Sequence, residues 1–440
     1  MADPLDGLDP RIAKLHQFAT IVDKKFGRGS IGSAKDNLVL DIPRITTGSL
    51  MFDYALGGGI PRGRITMFFG NKSGGKTTNS KRVVAQAQRL CRNCFRPAKN
   101  MVVKSVIVQS DVKDEEPTEV FYAEAECDCY KIGLFKPPRY KRVNKQTKRL
   151  EDIPITEHNA RLKRYEENSF EEMICGYVDT EGAYDKEWAA LLGVDNRRLM
   201  YYRPPTAEEA IDVYDPWIRT GAVDFLVMDT LAFMTPRVEV EESSENWQQG
   251  LQARLINKFT RKVASAMSAC VRQWGRTPTQ IWCNQVRMSI GPFGGEVIPG
   301  GKGQGFATSI EVKFRPGKPE VEKIDTGKKG EEIEVPLWTD IKFKVVKNKV
   351  APSGIEGYYR MMVNNTETKM KSEISEDDQV FRYAKHFNLF AKADKGSGWE
   401  YDGRQFRTLD EIKAMVKGDW EEWTRLKAML TALLANKEIE

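Results

Sequence analysis

Residues 70–78 read GNKSGGKTT, the Gly70-x4-Gly75-Lys76-Thr77 spacing that wraps backbone amides around a polyphosphate. Gly70, Gly74 and Gly75 let the chain approach phosphate oxygens closely. The amides of the loop, Ser73 included, and of the helix that starts at Lys76, with Thr77 and Thr78 in its first turn, stabilise the anion. Lys76 is placed to reach the β- and γ-phosphates, and Thr77 to hold Mg2+ through its hydroxyl. Asp229 ends the apolar run DFLVMD, where a carboxylate fits the second magnesium contact. Glu181, in YVDTEGAYD, follows another strand tip. A carboxylate there can orient and polarise the water that attacks the γ-phosphate, the alternative being a solvated loop acid.

A second constellation is made of thiols. Four of the seven cysteines form two close pairs, Cys91/Cys94 and Cys127/Cys129. Four thiolates in two pairs suit tetrahedral Zn2+, with reduced surface cysteines or a redox pair as alternatives. The other three, Cys175, Cys270 and Cys283, sit among apolar residues and read as small core residues.

The elements that must position these groups are legible as an alternation. RITMFF, MICGYVD, VDFLVMD, TQIWCN, SIEVKF and DIKFKVV read as strands, and VVAQAQRLC and QARLINKFTRKVASAM as helices. Strands alternating with helices predict an α/β fold with a mostly parallel central sheet. The alternation breaks over 91–168. There, VVKSVIVQ and TEVFYAEAE lie between the cysteine pairs, and FKPPRYKRVNKQTKRL carries seven Lys or Arg and no acid. This reads as an inserted, zinc-ribbon-like module. Phe135 and Tyr140 in its basic run could meet DNA, or the run could be a solvated strand or a partner surface.

Near the N-terminus, Ile12, Leu15, Ala19, Val22 and Phe26 share one helix face, which either packs on its own domain or docks on a neighbouring subunit. After Asn365 the pattern becomes that of a small α+β domain with a Thr408/Glu411 capping box. Its last helix carries Trp420, Trp423, Leu426, Met429, Leu430 and Leu433. The boundaries expected are 1–36 for the N-terminal helix region, 37–90 and 169–365 for the nucleotide-binding core, 91–168 for the insertion, and 366–440 for the C-terminal domain.

Composition is that of a soluble globular chain: 440 residues, 40% hydrophobic and 30% charged. The net charge of +6 permits nucleic-acid binding without proving it. No apolar run is long enough to span a bilayer. The acidic start MADPLDGLDP is not a secretory signal, so cytoplasm is the expected compartment.

Taken in order, several segments resemble the RecA family of ATP-dependent DNA strand-exchange proteins. They are KKFGRGSI at 24–31, ITTGSLMFDYALGGGIPRGRI at 45–65, YVDTEGAYDKEWAALLGVD at 177–195, VMDTLAFMTPRVEVE at 227–241, NQVRMSIG at 284–291 and KVVKNKVAP at 344–352. The resemblance implies a RecA-like P-loop ATPase core and gives Glu181 the place of the water-activating glutamate. It puts Asp185 and Trp188 against adenine, and Gln285 where a glutamine senses the γ-phosphate. Lys347 and Lys349 match lysines that reach ATP on the adjacent subunit, although exposed strand lysines would look the same in isolation. Gly250, Arg254, Asn257 and Arg261 fall near bound single strand, with Trp247 beside them as a stacking platform or a packing residue. In the second DNA loop, MSIGPFGGEVIPGGKGQGFA, Arg287 and Lys302 are phosphate partners, and Phe293 and Ile298 could insert between bases. That loop is expected to order on single-stranded DNA. The family generally lacks the cysteine module, and its frequent acidic tail is replaced here by ANKEIE.

The function so implied is an ATP- and Mg2+-dependent recombinase, with a structural Zn2+, that forms helical homo-oligomeric filaments on single-stranded DNA. It would exchange strands with a homologous duplex in DNA repair, with no membrane partner. The alternatives are a RecA-fold repair accessory or motor without strand exchange, and a single-strand-binding scaffold with little turnover.

Overall fold

The computed structural model describes residues 14, 18, 20–21, 42–108, 117–127, 141–143, 150–152, 170–241, 250–288, 295–301, 303–325, 332–365, 370–375, 377–392 and 398–435. The elements that matter to the site, in chain order, begin with Ile65–Gly70 (β1), Lys76–Ala87 (α1), Lys99–Val108 (β2) and Thr118–Glu126 (β3). Next come Cys175–Asp179 (β4), Lys186–Leu191 (α2), Leu199–Tyr202 (β5), Ala207–Arg219 (α3), Phe225–Asp229 (β6) and Leu251–Trp274 (α4). Thr279–Gln285 (β7), Ile310–Asp325 (β8), Glu332–Asn348 (β9), Glu356–Met362 (β10) and Ile374–Ser375 (β11) complete the central sheet.

That sheet runs β11-β10-β9-β8-β1-β7-β6-β4-β5. From β8 to β5 every pairing is parallel, and β9, β10 and β11 add on antiparallel. β1, β4 and β6 are buried at every position, as parallel strands covered on both faces must be. Alternate residues feed two cores. Phe68, Ile281 and Cys283 join Phe52, Phe314 and Phe343 on one face, and Ile65, Met228 and Trp282 join Tyr214, Ile256 and Phe259 from α3 and α4 on the other. Truncating a ring such as Phe259 to Ala would cost about 3–5 kcal/mol. Cys175, Cys270 and Cys283 are fully buried, as their apolar context predicts.

The structure departs from the sequence reading at three edges. α1 stops at Ala87, short of Cys91, because the chain turns there into an antiparallel bridge between Leu90 and Pro97. β8 and β9 extend far beyond SIEVKF and DIKFKVV, pairing with each other out to Asp325 and Glu332. Their outer halves alternate charged and apolar residues, a period that a solvated hairpin accommodates. The Gly-rich second loop is not wholly irregular: Arg287–Met288 pairs with Glu296–Val297, and Gly303–Ala307 is a short helix.

Within the inserted region β2 and β3 form an antiparallel hairpin, and Lys141–Val143 pairs with Leu150–Asp152. Phe135 and Tyr140 lie outside the described residues. At the N-terminus Lys14, Phe18, Thr20 and Ile21 are helical, with Phe18 and Ile21 exposed. The C-terminal region packs Asp377–His386, Leu409–Gly418 and Trp420–Ala435 around Phe381, Phe390, Leu426 and Leu430. It leans on the helix Leu50–Leu56, where Tyr54 and Tyr383 meet edge-on at 5.5 Å. Thr408 caps its helix through Glu411 N as expected, but the Glu411 carboxylate accepts from Arg407 N, one residue earlier than a capping box requires.

Candidate active site

Four neighbouring strands, β1, β7, β6 and β4, end together, and register decides which side chains meet. Gly70 stands opposite Gln285, and Asp229 opposite Asp179. The carboxyl edge of a parallel sheet is where such folds bind ligands.

Gly70 has φ 144°, and a Cβ there would lie 2.1 Å from Phe314 O; Gly75 has φ 93°. Both conformations fold the loop back over the start of α1 and favour glycine. α1 has no side-chain cap and no acid in its first turn, whereas α2 and α3 are capped by Asp185 and Thr206 and carry acids there. The amide end of α1 is thus left with an uncompensated partial positive charge, which fits a polyphosphate. Lys76 Nζ donates to Gly70 O (3.1 Å) and Asn71 O (2.7 Å), holding the loop in shape. Burial pulls its pKa below the ordinary lysine value, against the opposing pull of Cys283, Asp229 and Glu181.

Asp229 is 5% exposed and accepts from Tyr177 Oη at 2.5 Å. Burial lifts its pKa, and hydrogen bonds from Tyr177 and Thr77 oppose that. A hydroxyl and a buried carboxylate in contact are the oxygen donors a hard divalent cation takes, so Thr77 and Asp229 fit Mg2+.

Glu181 is held by a device that spacing did not reveal. Asp179, nearly fully buried, accepts from Gly182 N (2.8 Å), Ala183 N (3.3 Å) and Tyr184 N (2.9 Å), and from Tyr201 Oη (3.0 Å). This Asx-type turn fixes the loop that bears Glu181. Gln285 Nε2 then donates to both Glu181 oxygens, at 3.3 and 3.2 Å. Burial raises the Glu181 pKa, Asp229 adds to the rise, and Gln285 and Lys76 lower it. Spacing does not single out Tyr177 either, nor the buried Lys81, whose ammonium lies 4.5 Å from the Tyr184 ring centre. The signal for Asp179 was the Asp-Thr-Glu-Gly turn; Tyr177 and Lys81 read as ordinary strand and helix residues.

Asp185 accepts from Glu187 N and Trp188 N, both at 2.9 Å, and so aims the Trp188 ring. Trp188 Nε1 reaches Thr78 Oγ1 at 3.4 Å, and Lys371 lies over its ring at 5.3 Å. Asp185, Trp188, Leu191, Val363 and Lys371 line a pocket beside the first turn of α1.

Lys347 and Lys349 do not join this group. Lys347 Nζ donates to Gly305 O, Thr308 Oγ1 (3.4 Å) and Glu311 Oε1 (3.3 Å), and Lys349 Nζ to Phe306 O (3.1 Å). Gln285 leads into the second loop, whose base is clasped by Asn284 Nδ2 donating to Pro299 O (3.1 Å) and Gln304 Oε1 (2.9 Å). Arg287 Nη2 donates to Ala232 O at 3.4 Å, and Ile298 is half-buried. Gly250 starts α4 with φ 80°; Arg254 and Arg261 are exposed along that helix, with Asn257 half-buried between them. Trp247, Phe293 and Lys302 lie outside the described residues.

Remote from the nucleotide edge, the sulfurs of Cys91, Cys94 and Cys127 lie within 4.8 Å of one another, a donor set able to hold a metal ion. Cys129 is outside the described residues. Among those described, no helix is long and apolar enough to cross a membrane.

The sequence model of the RecA N-terminal domain matches residues 13–99 and 161–365. The stretch between, 100–160, holds most of the hairpin and the basic run. Protein RecA of Wolbachia sp. subsp. Brugia malayi (strain TRS) is 27% identical over 443 residues, covering 99% of this chain and 94% of that protein. Protein RecA of Chloroherpeton thalassium is 30% identical over 349 residues, 78% of this chain and 70% of that protein. Protein RecA of Mannheimia haemolytica is 28% identical over 409 residues, with 91% and 82% covered.

Proposed function

The chain belongs to the RecA family, an ATP- and DNA-binding family of recombination and repair, and from that premise we propose that it is a cytoplasmic strand-exchange recombinase. It assembles as a helical filament on single-stranded DNA, pairs that strand with a homologous duplex, and hydrolyses ATP in response to DNA. Its cofactors are ATP with Mg2+, and Zn2+ at the cysteine cluster.

The observation that carries this reading is the Gln285–Glu181 contact. It joins the carboxylate best placed to handle the attacking water to the strand that opens the second loop. The amides of α1 and Lys76 bind the phosphates, and Asp185 and Trp188 bind the base. Thr77 and Asp229 hold Mg2+, which when bound supplies charge stabilisation to the phosphoryl oxygens. Glu181, its pKa raised by burial, accepts the proton of the attacking water. DNA seated on Arg254, Arg261 and Arg287 shifts the second loop, and Gln285 passes the shift to Glu181.

Lys347 and Lys349 are turned to the Gly305–Thr308 stretch rather than to the phosphate loop of their own chain. They act on the site of the next subunit, where cations stabilise charge developing in the transition state. A head-to-tail contact of that kind propagates as a helix unless it closes.

The test is ATP turnover with and without single-stranded DNA, followed by strand exchange with a homologous duplex. The reading expects DNA-stimulated turnover and exchange. Turnover without exchange would return the protein to the class of RecA-fold motors, and binding without turnover to that of scaffolds.

A further inference from the structure

Resting on the zinc part of that reading, we propose that the metal–thiolate centre of Cys91, Cys94 and Cys127 takes Arg62, Arg92 and Arg276 as its counter-charge and fastens the inserted hairpin to the base of the ATPase sheet. Three independent features of the fold converge on this.

The first is the turn itself. Cys91-Arg92-Asn93-Cys94 is closed by Phe95 N donating to Cys91 O (2.8 Å) and Cys91 N to Arg96 O (3.0 Å). Phe95 has φ 63°, a left-handed conformation that a bulky residue adopts only when its surroundings impose it. Zinc–sulfur bonds of about 2.3 Å set the sulfurs of a tetrahedron about 3.8 Å apart, so small rotamer adjustments would close the observed cluster on a metal.

The second is the thinness of the core. The buried residues at the neck are Cys91, Cys94, Ala123, Ala125 and Phe170. A two-stranded hairpin is marginal alone, and two alanines supply little apolar area. The outer half of this one leaves Val106, Ile107, Val108 and Val120 exposed. A metal bonded to Cys91 and Cys94 on one side and to Cys127, directly after β3, on the other would supply the missing cross-link.

The third is charge. Arg92 donates through Nε to Asp224 Oδ1 (3.1 Å) and through Nη2 to Gly221 O (3.0 Å); Arg276 Nη2 reaches the same carbonyl at 3.4 Å. The Arg62 guanidinium lies 3.2 Å from the centre of the Phe95 ring. Burial raises the Asp224 pKa, against the pull of Arg92, Arg276 and Arg62, and burial lowers that of Arg62 to about 10, against the pull of Asp224. Arg62 Nε and Arg276 Nε are buried with no hydrogen-bond partner among the described residues. Three guanidiniums around one carboxylate leave a positive surplus, and buried charge is retained only when it is paired. Neutral thiols would not compensate it. A divalent ion bound by three or four thiolates is anionic and would.

Arg62 and Arg276 are therefore positioning residues for the metal, and the nearby glutamate is already engaged: Glu172 accepts from Arg198 Nη1 at 2.6 Å. The experiment measures zinc bound per chain in the purified full-length protein, then its loss to a competing chelator. Arg62→Gln and Arg276→Gln should each bind zinc at the wild-type stoichiometry but with about 10- to 100-fold lower affinity. Arg62→Lys, which keeps the charge, should recover most of it. ATP binding by these variants should stay at the wild-type level, showing that the core is folded.

Chelator treatment should expose β2 and β3 to protease while the rest of the core resists. A wild-type chain that neither contains nor takes up zinc would defeat the zinc reading itself. Zinc held as tightly by both glutamine variants as by wild type would leave that reading standing and overturn the role of the arginines. A hairpin equally protected after metal removal would overturn the fastening.

Discussion

Glu181 is half-buried and Asp229 buried. Burial raises the folded-state pKa of each from its ordinary value. A raised carboxylate contributes stability that is fully present below its unfolded value and is lost as pH rises through the folded one. Without nucleotide, thermal denaturation of Asp229→Asn should therefore show a higher midpoint than wild type at neutral pH, with the gain shrinking as the buffer is made acidic. A Glu181 that accepts the proton of the attacking water, as proposed, must be ionised in turnover, so the acid limb of the rate profile should report its raised pKa. Gln285 lowers that pKa by donating to it. Gln285→Ala should move the acid limb to higher pH and abolish stimulation by DNA while ATP still binds. Glu181→Gln should lower turnover by about 10²–10⁴-fold at unchanged ATP affinity, measured by equilibrium binding beside steady-state rates.

At the scale of elements, the loop between β4 and α2 is rigid because Asp179 collects its amides. Asp179→Ala should release Glu181 by an ångström or more, a displacement able to cost about 100-fold in rate, with the phosphate loop and ATP binding intact. α4 presents Arg254 and Arg261 to solvent. The double alanine variant should flatten the plot of log affinity for single-stranded DNA against log salt by about 1.4, taking about 0.7 per lost phosphate contact. These elements differ in how far the sequence revealed them. The phosphate loop, Asp229 and the strand runs stood out because backbone chemistry and double-sided burial restrict residue choice there. Asp179 did not, because its work is to collect amides that only the folded turn brings within reach. The true length of β8 and β9 was hidden too: it comes from pairing with each other beyond the sheet, and charged alternation there looks like loop. The cysteine pairs were visible as ligands, but the arginines beside them are separated in sequence by as much as Arg62 is from Arg276, and only the sheet base unites them.

At the scale of the molecule, a site shared between subunits, as proposed, leaves no single chain with a whole active site. Glu181, Gln285, Lys76, Thr77 and Asp229 gather at one sheet edge, while Lys347 and Lys349 bond to the Gly305–Thr308 stretch of their own chain. The proposed shared site would couple filament growth to hydrolysis, and the lysines should matter to turnover without mattering to nucleotide binding. The most direct measurement mixes two defective chains. Glu181→Gln and Lys347→Ala should each be nearly inactive alone with saturating DNA and ATP. Mixed in equal amounts, they should recover up to about a quarter of wild-type turnover, because random head-to-tail order creates some junctions with an intact Glu181 facing an intact Lys347. Failure of the mixture to exceed the sum of its parts, or full activity in Lys347→Ala alone, would contradict a site shared between subunits.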